Sequence, residues 1–221
     1  MTGRVVSVNV GLPRAVRWRG RDVLTSIFKD PVEGRVAVRG VNIAGDDQAD
    51  RTVHGGPDMA VYAYAGEDID WWSGELGTRL RPGVFGENLT LAGVAVTKAV
   101  IGERWRVHDV LLEVCAPRIP CYKLGIALGE DRFPPRFAAA GRPGAYLRIL
   151  EEGELAAGDS VIIEHRPAHG VTVQAVNEAY YRDHARAAGL LAAPELAVGW
   201  REWARSMLER RRALASARSG K

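Results

Sequence analysis

The chain has 221 residues, 47% hydrophobic and 26% charged, which allows a sizeable core in one or two globular domains without disulfide or metal staples. No apolar run is long enough to cross a bilayer, and the start Met1-Thr2-Gly3-Arg4 lacks a secretory signal's apolar stretch, so a cytoplasmic, reducing location is expected. Residues 201–221 hold 7 of the 30 basic and 2 of the 27 acidic residues, leaving 23 basic against 25 acidic elsewhere; no general basic field exists for nucleic acid, which is not expected as a partner.

Up to about Glu164 the pattern is of short β-rich runs separated by Gly, Pro and Asp. Val5 to Val10, Val23 to Phe28, Val36 to Ile43, Ala60 to Tyr64, Asn88 to Leu91, Trp105 to Val114, Tyr146 to Leu150 and Val161 to His165 read as strands. Their spacing suits a mainly β barrel or sandwich better than a parallel α/β sheet. Two short helical insertions are expected, Glu67 to Leu76 and Asp131 to Ala140, the second limited by Pro134 and Pro135. Beyond residue 166 a three-helix unit is expected: Thr172 caps Val173 to Tyr181, Asp183 opens a helix through Leu191, and Leu196 to Ala215 reads as a longer amphipathic helix. The division is thus a barrel over residues 1–166 and a helical unit over 167–221. That unit reads as a lid or interface, in a homodimer or with a docking partner. Its Arg210, Arg211 and Arg212 gather at a helix end rather than on a recognition face. The pairs Trp71-Trp72 and Trp200-Trp203 read as helix packing.

Three segments could carry chemistry. Gly45-Asp46-Asp47-Gln48-Ala49-Asp50-Arg51-Thr52-Val53-His54-Gly55-Gly56 is long for a hairpin turn and rich in donors, acceptors and glycine. Pro82-Gly83-Val84-Phe85-Gly86-Glu87-Asn88 would present a carboxylate and an amide at a strand mouth, unless they only satisfy the turn backbone. Pro117-Arg118-Ile119-Pro120-Cys121-Tyr122-Lys123 places a cysteine between two cations, which favour thiolate; a helix starting there would add to the effect. Cys121 is therefore a candidate nucleophile or soft metal ligand, against an inert buried thiol, whereas Cys115 closes an apolar run and reads as core. His54 is a candidate general acid or ligand, or a loop histidine bound to backbone. Gly55-Gly56 is too short for a nucleotide fingerprint, zinc-ligand spacings are missing, and Asp46, Asp47 and Asp50 do not follow the calcium-loop pattern.

Taken in order, GDDQADRTVHGG, PGVFGENLT, IGERWRVHDVLLEV and PRIPCYKL resemble the MOSC domain, named from the C-terminal domain of molybdenum cofactor sulfurases, and in particular its YiiM-like branch. The resemblance covers nearly the whole chain, since that branch appends a small helical unit matching residues 171–215. It implies a MOSC-type β-barrel, binding of the molybdenum cofactor (molybdopterin), and reduction of N-hydroxylated bases such as 6-hydroxylaminopurine to amines. Pyridoxal phosphate binding is also associated with the family.

By resemblance Cys121 is the family's cysteine and the molybdenum ligand, a role suited to a soft thiolate. Arg51, Glu87, Asn88, Arg118 and Lys123 are expected to hold the cofactor, and His54 to supply a proton to the small-molecule substrate. Electrons would come from a separate reductase, because no flavin or nicotinamide motif is present. The alternative is a carrier that moves sulfur as a Cys121 persulfide. Met59 stands where relatives commonly carry Lys, and Ala116 where they often carry Gln; loss of a cation at 59 would weaken anion binding unless Arg51 or Lys123 compensates.

Overall fold

The structure, a computed structural model, describes residues 2–49 and 55–219, the last three by backbone alone. In chain order the strands are β1 (Gly3–Val10), β2 (Arg14–Trp18), β3 (Arg21–Thr25), β4 (Asp30–Pro31), β5 (Val36–Arg39), β6 (Asn42–Ile43), β7 (Val61–Ala65), β8 (Leu89–Ala92), β9 (Arg104–Val107), β10 (Val110–Pro117), β11 (Ala145–Glu151), β12 (Gly153–Leu155) and β13 (Ser160–His165). The helices are α1 (Gly66–Leu76), α2 (Tyr122–Leu128), α3 (Phe133–Ala140), α4 (Val173–Tyr181) and α5 (Val198–Ser219).

Seven strands close a barrel in the order β13-β9-β10-β11-β7-β8-β1, the ring sealed by β1 pairing with β13. Neighbours are antiparallel except β7 and β8, which run parallel and are joined through α1. A parallel pair needs such a crossover. Alternation along the strands sends Val61, Ala63 and Ala65 of β7, Leu89 and Leu91 of β8, and Ala145 and Leu147 of β11 into one apolar cluster. Tyr62, Tyr64 and Tyr146 point the other way. Outside the barrel the two β7 tyrosines meet Trp72 of α1 and Phe133 and Phe137 of α3, where Trp72 stacks on Phe137 at 5.9 Å.

The expected strands are present, with three differences. The run from Trp105 to Val114 is a hairpin, β9 and β10, turned at His108, which takes φ 51. Likewise, Val36 to Ile43 folds back on itself as β5 and β6. The run from Val23 to Phe28 stops at Thr25 and pairs with β2, a strand whose Arg14 and Arg17 hide it from an apolar-pattern reading. Both short helices form; the prolines of α3 sit in its first turn, where a missing N–H breaks no intrahelical bond.

The C-terminal unit comprises α4, a 3-10 helix over His184–Ala192, and α5. The side chains of Thr172 and Asp183 cap the first two as expected, accepting from the Ala175 and Ala185 amides. Trp200 and Trp203 of α5 close over Tyr180 at 5.2 and 5.3 Å. Val173, Val176, Ala187, Leu190 and Leu196 of the unit join the barrel cluster. No described helix is long and apolar enough to cross a membrane.

Candidate active site

A cleft on the outer face of the barrel is lined by residues from all three polar segments of the sequence, among them Lys29, Asp46, Asn88, Arg118, Cys121 and Lys123. Its floor is a buried polar network. Asp46 accepts from the Gly11 amide at 2.8 Å and the Asn88 side chain at 2.9 Å, and pairs with the Lys29 ammonium. Burial pushes the Lys29 pKa down, and Asp46 opposes this. Asn9 continues the network, donating to Thr90 at 3.2 Å and accepting from Ser7 at 2.7 Å.

The turn before β8 depends on two glycines with positive φ. A Cβ on Gly83 would lie 2.6 Å from the Lys29 carbonyl, and one on Gly86 would lie 2.7 Å from the Ile27 side chain. The turn therefore packs directly on the segment carrying Lys29.

Glu87 braces this turn and does not line the cleft, which corrects the ligand role expected for it. Its fully buried carboxylate accepts from the Gly83 amide at 2.6 Å, the Phe85 amide at 3.1 Å and the Thr90 hydroxyl at 2.9 Å. Asn88 reaches the cleft but its amide is committed: the oxygen accepts from the Tyr62 amide at 3.0 Å, while the nitrogen serves Asp46 and the Asn9 carbonyl. It therefore orders Asp46 rather than reading a ligand's ring edge.

Arg118 follows β10 and is buried. Its guanidinium donates to the Phe85 carbonyl and lies over the Tyr62 ring at 4.8 Å. Among the described residues no carboxylate pairs with it. Burial alone would lower its pKa, but Tyr62, Tyr146 and Cys121 nearby reverse the direction, so it stays a cation. A buried charge without a counter-ion is costly, and an anion entering the cleft would relieve that cost.

Three residues on, Cys121 is the N-cap of α2 and half-buried, and Lys123 lies inside the first turn of that short helix. Both line the cleft with Arg118. Cys115 is core as expected: it is buried, its thiol contacts the Asp58 and Tyr146 carbonyls at 3.1 and 3.3 Å, and burial pushes its pKa well up. Met59 lines the cleft, whereas Ala116 is buried behind it. Arg51 and His54, the other two expected site residues, lie outside the described residues. Lys29 and Tyr146 are cleft residues that the sequence reading missed; Lys29 stands alone between two apolar runs, and Tyr146 is hidden inside a strand pattern.

The arrangement offers one thiol beside fixed positive charge. Among the described residues no group of three or more His, Cys, Asp and Glu side chains could hold a bare metal ion. A metal bound here would bring most of its ligands with it, as part of an anionic cofactor.

The MOSC domain family model matches residues 50–162. The protein YflK of Bacillus subtilis is 36% identical over 81% of this chain and 81% of its own length. A protein of Gibberella moniliformis named "Reductase" is 31% identical over 67% of this chain, a match that occupies 27% of its length. The crystal structure of YiiM from Geobacillus stearothermophilus superposes with a TM-score of 0.77 at 30% identity, over 93% of this chain and 99% of the other. The chain therefore belongs to the MOSC domain family, and within it to the YiiM-like branch.

Proposed function

We propose that the cleft binds the molybdenum cofactor and that the protein reduces N-hydroxylated purines such as 6-hydroxylaminopurine to the corresponding amines. The observation that carries this reading is the buried Arg118 guanidinium, without a carboxylate partner among the described residues, beside the Cys121 thiol in one cleft. The relative named "Reductase" supports the redox part of the reading, and the family's name supports the cofactor.

Cys121 would supply the one protein ligand to molybdenum, as a thiolate, while Arg118 and Lys123 would hold the cofactor's anionic groups. The bound cofactor would supply two-electron chemistry at the N–O bond. Lys29 and Asp46 neutralise each other and keep the cleft floor rigid without competing for the anion. In the overall change an N-hydroxylamine takes up two electrons and two protons and yields an amine and water. The electrons come from a separate reductase partner.

The test is anaerobic conversion of 6-hydroxylaminopurine to adenine by cofactor-loaded protein with a low-potential electron donor. The wild type should form adenine and Cys121→Ala should form none above the uncatalysed rate. Absence of adenine from loaded wild-type protein would overturn the reading. In the sulfur-carrier alternative, Cys121 would instead bear a persulfide that is transferred with no turnover of the purine.

A further inference from the structure

Tyr146 stands on β11, in register with Ala116 on one side and Tyr62 on the other. Its ring packs 5.2 Å from that of Tyr62 and lines the cleft with Arg118 and Cys121. The phenols around it are committed: Tyr62 donates to the Pro143 carbonyl at 2.8 Å and Tyr64 to the Arg142 carbonyl at 2.9 Å. Tyr146 is different. Its carbonyl accepts from Cys115, but its hydroxyl makes no hydrogen bond to any described residue.

This is an uncommitted proton donor on the wall of a cleft that already holds a thiol and a buried guanidinium. Burial raises its pKa, while the Arg118 charge works in the opposite direction. The phenol is thus protonated at neutral pH, yet the phenolate left after proton transfer would lie near a permanent cation.

We propose that Tyr146 is the proton donor to the oxygen of the substrate's N–OH group. The role rests on the reductase reading above. As the N–O bond breaks, the Tyr146 O–H proton passes to the departing oxygen, which leaves as water. Two electrons from the reductase partner balance the bond cleavage, and solvent supplies the second proton to the product. Arg118 stabilises the transient phenolate until solvent reprotonates it.

Tyr146→Phe in the cofactor-loaded protein tests the role, with molybdenum and pterin content measured alongside. Content and melting temperature should match wild type, and KM should change little. The value of kcat should fall by about 100-fold or more, the scale of a lost general acid, and the alkaline limb of its pH profile should disappear. In cofactor-free protein with 13Cζ-labelled tyrosine, the resonance lost in Tyr146→Phe should shift when 6-hydroxylaminopurine is added. A variant that keeps kcat within about twofold and the same pH profile would overturn the role, as would an unmoved resonance. Loaded wild type that reduces nothing would overturn the reductase reading itself, and the proton-donor role with it.

Discussion

The guanidinium carbon of Arg118 lies 4.8 Å from the centre of the Tyr62 ring, buried and with no described carboxylate paired to it. The Tyr62 ring face and the Phe85 carbonyl hold the charge. A buried cation with no described carboxylate partner costs stability, and an anionic ligand would offset that cost.

Arg118→Met should therefore weaken anion binding without unfolding the protein. Affinity for a phosphate-bearing pterin should drop by about tenfold or more, as expected for a lost charge-assisted contact. The melting temperature should stay level or rise, because a buried charge with no described carboxylate partner has been removed. Titration calorimetry and thermal melts on the same preparation check both parts.

Met59→Lys should act in the opposite direction. Met59 lines the cleft, and an ammonium there would add a cation to the cleft that Arg118 and Lys123 also line. Binding of the same pterin should tighten by about threefold to tenfold at low ionic strength, and the gain should shrink as salt is raised.

Asp58 ties the helical unit to the barrel. It pairs with Arg148 of β11 at 2.5 Å and accepts the Val198 amide, at the start of α5, at 3.2 Å; Arg148 also reaches Glu113 and the Glu195 carbonyl. Asp58→Ala removes one of the two carboxylates on the Arg148 guanidinium and the acceptor for the helix-start amide, and should destabilise the protein by about 2 kcal/mol in urea unfolding.

Burial raises the pKa values of Tyr62, Tyr64 and Tyr146 above the ordinary phenol range. In the unfolded chain these groups ionise near pH 10, whereas in the folded chain they keep their protons to higher pH. Their contribution to stability is full below about pH 10 and is lost as pH rises through the folded values. Phenolate absorbance should show Tyr62 and Tyr64, two of the six tyrosines, appearing only with unfolding, and chemical denaturation should show stability falling from about pH 10 upward.

Much of this architecture is legible in the sequence because strand alternation and cap residues act locally. Thr172 and Asp183 cap the elements expected of them, and Cys115 is core because it closes an apolar run. The β9–β10 turn is not legible, since a histidine at φ 51 interrupts no apolar pattern. Nor does the sequence say which way a polar side chain faces. Glu87 reads as a presented carboxylate until Gly83, Phe85 and Thr90 are seen to enclose it. Conversely, Tyr146 reads as one more strand aromatic, and only the folded structure shows that it lines the cleft beside Arg118 and Cys121.

The central claim is that Cys121 holds a molybdenum cofactor in this cleft. The most direct measurement is the molybdenum and pterin content of wild type and Cys121→Ala purified from a host that makes the cofactor. Wild type should carry both, and the variant should lose molybdenum while keeping the wild-type melting temperature. Full molybdenum content in Cys121→Ala, or none in wild type, would contradict it.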